Sequence, residues 1–198
     1  MKLSFAAAAL AASLAAAAFS TAVSAAQVQY TAEPVQINRS AKADYLGKVA
    51  VASPVTVLQK QGGKAKVRVE GWTLAEYPSQ IFSEPGVRIE YASFDEENVV
   101  KVNPKAGEKT VQGNKWVRAS AEGWIDAGAL TGDLDGLWSK GRARLGQACA
   151  SCHAAPAADH FTANQWASLL PERGGRTGHT RAGVNALMFK YLQTHAKK

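Results

Sequence analysis

The sequence predicts an α+β fold in which a small all-β unit is followed by a small α-helical unit. Three observations lead to this prediction. Residues 46–130 consist of short β-branched runs separated by glycine, proline or acidic turns. Residues 135–198 carry apolar residues at helical spacing. The composition, 46% hydrophobic and 20% charged over 198 residues, is typical of globular proteins and excludes a disordered or fibrous chain.

The first 26 residues have the pattern of an export signal. Lys2 precedes an alanine-dominated apolar run, and Ser24-Ala25-Ala26 is similar to the site that signal peptidase cuts. The alternative is an uncleaved membrane anchor, because the run is long enough to span about 30 Å of hydrocarbon. Alanine contributes little transfer energy, so we favour cleavage and expect a soluble periplasmic protein that meets the membrane only if the leader stays.

The β unit is expected to follow an exposed linker. Residues 27–45 mix proline, asparagine, serine and lysine without a period, which predicts that linker. Gly62-Gly63 and Gly113-Asn114 are placed as hairpin turns should be. The predicted strands are Val49 to Leu58, Lys64 to Trp72, Val87 to Phe94, Asn98 to Val102, Lys115 to Ser120 and Gly123 to Ile125.

Two stretches of the β unit echo each other, residues 63–72 and 113–124. Each places a basic alternating strand before a Gly-Trp pair. This pattern resembles bacterial SH3-like barrels, which implies a small five-stranded roll. One barrel with an inserted hairpin and two half-units fit the echo about equally well. We expect core packing for Trp72 and Trp124, because so small a barrel needs a few large side chains to fill it.

The C-terminal unit is predicted to be helical. A helix is expected over Leu137 to Leu145, a loop at Gly174-Gly175, and a last helix over Gly183 to His195, where apolar residues recur at three and four residues. Such a short α unit buries too little apolar surface to be stable without a metal, disulfide or cofactor.

The cysteines provide the strongest chemical signal. Cys149-Ala150-Ser151-Cys152-His153 is Cys-x-x-Cys-His, the attachment sequence of c-type haem. Two thiols about one helical turn apart can form thioethers with the two vinyl groups of a single porphyrin, and the adjacent imidazole of His153 then serves as the proximal iron ligand. Cys149, Cys152 and His153 are therefore predicted to hold one covalent haem c.

Other uses of the two cysteines are less favourable. A thioredoxin-type dithiol would follow a strand in a βαβ unit, and a structural zinc would need a fourth ligand nearby. No acid and base constellation suggests peroxidase chemistry at the haem, so an enzyme is not expected.

The candidates for the distal iron ligand are one methionine and three histidines. His179 occupies the loop ahead of the last helix, where the distal ligand of monohaem cytochromes usually lies, and His160 is the alternative. Met188 is spaced as a core residue, and His195 lies near a helix end. Pro156 is expected to offer a carbonyl to the proximal imidazole.

Further residues are expected around the haem. The apolar side chains that could cover it are Phe161, Trp166, Leu169, Leu170, Leu187 and Tyr191. The bases that either meet the propionates or stay solvated are Arg173, Arg176 and Lys190.

Longer stretches resemble one family. One domain of known proteins is similar to three stretches of this sequence: the haem motif, Asp159 to Trp166, and Lys190 to Lys197. These stretches look like the C-terminal haem domain of the pentahaem cytochromes c that serve periplasmic trimethylamine N-oxide and dimethyl sulfoxide reductases. Gly71-Trp72, Gly86 to Ile89 and Leu137-Trp138 resemble the segment before that domain. The resemblance covers roughly residues 50–198, and it implies a periplasmic monohaem carrier whose partner is a molybdenum-cofactor reductase. It also implies a link to the control of reductase biogenesis.

Two departures from that family affect the expectations. The sequence has no second Cys-x-x-Cys-His, so we do not expect quinol oxidation by the tetrahaem route. Seven residues past Trp166 the family has a methionine where this sequence has Arg173, which favours a histidine as distal ligand.

Charge bears on the choice of partner. The net charge of +7 suits docking to an acidic redox partner, and the scattered bases argue against nucleic-acid binding. Candidates for this docking are the basic strand positions Lys64, Lys66, Arg68, Lys115 and Arg118. The simpler interpretation is that they form a solvated strand face. A haem-based sensor or partner-binding module with an open distal site is the alternative function.

Overall fold

The protein is described by a computed structural model over residues 27–149, 153–177 and 185–198. The strands are β1 Gln27–Thr31, β2 Val35–Asn38, β3 Tyr45–Val49, β4 Pro54–Gln61, β5 Lys64–Leu74, β6 Gln80–Phe82, β7 Glu90–Phe94, β8 Lys101–Val102, β9 Glu108–Val111, β10 Asn114–Asp126 and β11 Leu130–Thr131. The helices are α1 Leu134–Cys149, α2 Ala163–Thr177 and α3 Ala186–Thr194.

The strands form one closed barrel with extensions. Strands β5, β6, β7, β3, β2 and β10 are paired in that order, and β10 pairs with β5 to complete the ring. Strands β4, β1 and β11 extend the sheet beyond β5, and β8 and β9 pair with β10. The five-stranded SH3-like roll implied by the sequence is therefore replaced by a six-stranded ring, and the echoing stretches belong to a single barrel.

Strands β5 and β10 contain the two echoing stretches and form the longest pairing. Their antiparallel register runs from Trp116 opposite Leu74 to Asp126 opposite Lys64. The alternation predicted for β5 is confirmed, because Val67 and Val69 have no exposed surface.

The Gly-Trp pairs have a backbone explanation. A Cβ atom at Gly123 would lie 2.5 Å from Cγ1 of Ile37 on β2, and one at Gly71 would clash with the carbonyl oxygen of Phe82 on β6. Glycine is needed at both sites because a neighbouring strand passes too close for a side chain. Trp72 is buried and Trp124 is half-buried, but neither belongs to the barrel's main apolar cluster.

The residues that fill the barrel are mostly small or β-branched. The fully buried members of this cluster are Ile37, Val49, Ala65, Val67, Val69, Ile81, Ala92 and Ile125. Because these side chains project alternately from strands of the ring, the interior is a packed core.

Helices α1 and α3 share a small core with the loop between β3 and β4. Leu137 of α1 and Leu187 of α3 form a buried cluster with Val51 and Ala52, which we call the junction cluster. Helices α1 and α3 also cross at Gly141, where a Cβ atom would lie 2.8 Å from the Cβ of Tyr191.

The predicted fold class is wrong. The described chain is mostly β, with an eleven-stranded sheet and three α-helices, so it is not a β barrel followed by a small α-helical cytochrome domain. The physical reason is that the helices bury their apolar residues in two places. Leu145, Met188 and Leu192 pack with one another, whereas Leu137 and Leu187 pack in the junction cluster.

Several local predictions also need correction. The expected linker contains β1 and β2, and the second hairpin turn falls at Gln112-Gly113, one residue earlier than predicted. The loop expected at Gly174-Gly175 lies inside α2. The turn at Gly62-Gly63 is confirmed, with φ values of 54° and 77°. The predicted leader lies outside the described residues.

Candidate haem-attachment site

Cys149 is the last residue of α1, and its side chain is half-buried. It packs against a group of buried residues that we call the C-terminal cluster: Leu145, Trp166, Met188, Tyr191 and Leu192. This burial raises the pKa of the Cys149 thiol. The thiol is therefore held protonated beside an apolar surface, an environment that suits a thioether better than a reactive thiolate.

His153 is hydrogen-bonded to the end of α1. Its backbone N–H donates to the carbonyl oxygen of Cys149 at 3.3 Å, which is the spacing of one helical turn along the backbone. The ring is exposed, and Nδ1 lies 2.7 Å from the carbonyl oxygen of Ala154. With the proton on Nδ1, that contact is a hydrogen bond and Nε2 is left free to bind a metal. Ala154 thus takes the position that the sequence suggested for Pro156.

The candidates for the distal ligand are in different environments. His179 lies outside the described residues, as does Cys152. His160 is exposed at the end of a short 3-10 helix, with its ring edge-on to Phe161 at 4.6 Å between centroids.

Met188 and His195 both pack against residues of the C-terminal cluster. Met188 is 5% exposed within the C-terminal cluster, as expected for a core residue. His195 follows α3, and its ring lies 4.4 Å from that of Tyr191 and 5.2 Å from that of Trp138. Its Nδ1 lies 2.9 Å from the carbonyl oxygen of Tyr191.

The residues predicted to cover a haem are partly gathered here. Phe161, Leu170 and Tyr191 lie in or against the C-terminal cluster with Trp166, whereas Leu187 belongs to the junction cluster. The indole N–H of Trp166 donates to the carbonyl oxygen of Ala158 at 2.8 Å, and the Trp166 ring meets that of Phe161 edge to face.

These donors fit a covalent haem better than a metal ion held by side chains alone. A half-buried thiol, an imidazole one turn later with Nε2 free, and an adjoining apolar cluster are what a thioether-linked porphyrin requires. Across the described ranges, no three His, Cys, Asp or Glu side chains converge to hold a metal ion.

The basic strand face considered for docking is largely neutralised. Glu122 on β10 pairs with Lys66 at 3.1 Å and with Arg68 at 2.7 Å, and these bonds lower the pKa of Glu122. Arg118 lies over the ring of Trp72 at 4.7 Å. These contacts favour the interpretation of a solvated, self-paired strand face.

A set of polar contacts between helices and barrel was missed by the sequence analysis. Asn164 of α2 accepts from the backbone N–H of Arg88 at 2.7 Å and donates to the carbonyl oxygen of Gly86 at 2.8 Å. Gln193 of α3 donates to the carbonyl oxygen of Arg88 at 2.6 Å, and Lys190 donates to that of Glu90. We call these contacts the backbone clamp. They satisfy backbone groups of Gly86, Arg88 and Glu90, which are alternate positions, as a neighbouring strand would.

The clamp changes the expectation for one base. Lys190 was a candidate partner for the haem propionates, but it is 4% exposed and bound to the barrel. Burial lowers its pKa to about 8, and Glu90 opposes that shift. The side chains of Arg173 and Arg176 lie outside the described part of the chain.

Within the described residues, no helix has both the length and the apolar character needed to cross a bilayer.

Comparison with known proteins gives a consistent set of relatives. The family model of the TorC third cytochrome c domain matches residues 22–130. The cytochrome c-type protein TorC of Escherichia coli K12 is 30% identical over 154 residues, covering 76% of this chain and 39% of that protein. The cytochrome c-type protein TorY of Haemophilus influenzae is 33% identical over 138 residues, covering 69% and 37%. The chain thus spans about two fifths of the length of these relatives. No solved structure matches significantly.

Proposed function

The chain belongs to the family of TorC third cytochrome c domains, and from that premise we propose that it is a periplasmic electron carrier with one covalent haem c. It exchanges electrons with a molybdenum-cofactor reductase of the trimethylamine N-oxide or dimethyl sulfoxide class. The observation that carries the proposal is the placement of Cys149 against the C-terminal cluster, with the backbone N–H of His153 bonded to the carbonyl oxygen of Cys149.

Each residue of the motif has a distinct role in this proposal. Cys149 and Cys152 form the two thioethers, and His153 binds the iron through Nε2 while Ala154 fixes the ring through Nδ1. His179 is the proposed distal ligand and His160 the alternative. When bound, the haem supplies a one-electron couple. The C-terminal cluster excludes water from one side of the site.

The proposed organisation follows from these roles. Residues 1–26 are a cleaved leader and residues 135–198 form the haem-carrying part. The barrel of residues 46–130, together with the strands in 27–45, supports that part. Export places the chain in the compartment where haem c is attached and where the proposed reductase works.

Mass spectrometry tests the attachment. Protein matured in a host with working cytochrome assembly should be heavier than the polypeptide by one haem. The C149A/C152A variant should be colourless, whereas the matched H195A variant should keep the haem. A colourless wild-type product from that host would refute the proposal.

Near-infrared magnetic circular dichroism of the ferric protein tests the distal ligand. H179A should change the axial ligation, while H160A should leave it unaltered. The reverse result would assign His160. A rapid carbon monoxide shift in the wild-type ferrous protein would instead indicate an open site and a sensor.

Electron transfer itself needs a partner assay. The reduced protein should be reoxidised by an N-oxide or S-oxide only when the cognate reductase is present. Reoxidation by the substrate alone would contradict a carrier role.

A further inference from the structure

A cavity of about 1060 Å³ lies between the barrel and the helices, where the backbone clamp joins them. Its lining comes from strands β3, β5, β6, β7, β9 and β10, from segment 86–90, and from helices α2 and α3. Cys149 and His153 are not among the lining residues. Small-molecule sites usually occupy about 300–1000 Å³ and often lie between structural units. We call it the junction cavity.

Part of the lining of the junction cavity is apolar and aromatic. Its apolar lining includes Leu74, Phe82, Val111, Trp116 and Phe189. Phe82 and Trp116 meet edge to face, with ring centroids 5.5 Å apart. Trp116 is 7% exposed, and its indole nitrogen has no hydrogen-bond partner among the described residues. This wall suits a flat apolar group.

The charged residues that line the junction cavity have an excess of positive charge. Lys48, Arg88 and Lys190 line it, against a single carboxylate, Glu90. That carboxylate accepts a hydrogen bond from Gln80 at 2.7 Å. None of the three bases forms an ion pair with the described part of the chain.

Lys190 is the most unusual of these bases because it is nearly buried. Its ammonium group donates to the carbonyl oxygen of Glu90 and lies 5.2 Å from the ring of Tyr91. An ammonium group has three donors, so the carbonyl and the aromatic face leave part of its hydrogen-bonding capacity unused, and the Glu90 carboxylate offsets the effect of burial on the Lys190 pKa only in part. A buried charge in this state is costly, and a bound anion would offset that cost.

We propose that the junction cavity binds a small organic anion, a carboxylate with a flat apolar body. The carboxylate lies near Lys190 and Arg88, and the apolar body lies against Phe82 and Trp116. This inference goes beyond electron transfer and does not depend on haem attachment.

Isothermal titration calorimetry with 4-phenylbutyrate tests the proposal on the full mature protein. The matched uncharged probe is 4-phenylbutyramide, which has the same apolar body. We expect the carboxylate to bind at least about tenfold more tightly than the amide, which corresponds to one charge-assisted contact. Equal binding of the two probes, or no binding of 4-phenylbutyrate at millimolar concentration, would overturn the proposal.

Two variants locate the binding site. K190M should weaken 4-phenylbutyrate binding about tenfold or more. R88E keeps the fold intact because the Arg88 side chain is exposed, and it should weaken binding as well. The matched control is K60E, a charge reversal on an exposed residue that does not line the cavity. If R88E and K60E have the same affinity as the wild type, the anion does not bind in this cavity.

Discussion

Gly141 allows helices α1 and α3 to cross closely. A Cβ atom there would lie 2.8 Å from the Cβ of Tyr191 and 3.2 Å from the carbonyl oxygen of Leu187. We therefore expect G141A to lower the free energy of unfolding by about 1–3 kcal/mol, as overpacking does.

The control for this prediction is Gly146 in the same helix. A Cβ atom at Gly146 has open space around it, so G146A should raise the free energy of unfolding by up to about 1 kcal/mol through helix propensity. Urea unfolding of both variants measures the difference. Equal effects would show that the crossing tolerates a methyl group.

The buried amine of Lys190 makes stability depend on pH. In the unfolded chain it takes up its proton near pH 10.4, whereas in the folded protein its pKa is about 8. Between pH 8 and 10 the unfolded state therefore binds more protons, so the free energy of unfolding rises with pH. The contribution is about 2–3 kcal/mol over this range.

The measurement compares the wild type with K190M in urea at several pH values. The difference between the two proteins isolates Lys190 from other groups. Above pH 10 Tyr91 lowers the free energy of unfolding as pH rises. Burial raises the pKa of its phenol, so the folded state keeps a proton that the unfolded state loses. Parallel pH profiles between pH 8 and 10 would contradict the prediction.

At the level of elements, the backbone clamp holds the helices to the barrel. N164A removes two hydrogen bonds from segment 86–90 and should lower the free energy of unfolding by about 1–3 kcal/mol. Amide hydrogens of this segment should exchange faster than in the wild type. The matched control is N103A, since exposed Asn103 makes no capping hydrogen bond with its side chain. Unchanged exchange in N164A would mean that the clamp is redundant.

Local patterns in the sequence predicted the elements they could determine. Alternation of Val67 and Val69 with basic residues indicated β5, and the glycine pair at Gly62-Gly63 indicated its hairpin. β1 and β2 were missed because short strands with polar residues are specified by their partner strands. β1 pairs with β4 and β11, and β2 pairs with β3 and β10. The clamp was invisible for a similar reason, because Asn164 and Arg88 are far apart in sequence.

At the level of the whole molecule, the helices and the barrel form one packed unit through the junction cluster and the clamp. We therefore expect a single unfolding transition, with the same denaturant midpoint for the far-ultraviolet circular dichroism of the barrel and the Soret absorbance of the haem-loaded protein. Two separate midpoints would instead support independent domains.

The prediction of a separate α-helical domain was wrong for a physical reason. The composition change past Leu130 marks a change of secondary structure, but it carries no information on which surface the helices bury. The resemblance to the terminal domain of multihaem cytochromes is confirmed by the relatives. The roles of Cys149, Cys152 and His153 stay predictions, supported by the motif and by the surroundings of the thiol and imidazole.

Strand β10 also determines when the barrel can form. Its thirteen residues pair with β2, β5, β8 and β9, so the ring stays open until residues 114–126 are available. In a chain that emerges from its amino end, this strand arrives last among the barrel strands and shortly before Cys149. Barrel closure and the emergence of Cys149 are thus nearly simultaneous, so under the proposed haem attachment the cytochrome assembly machinery would meet a cysteine pair that follows a freshly completed barrel.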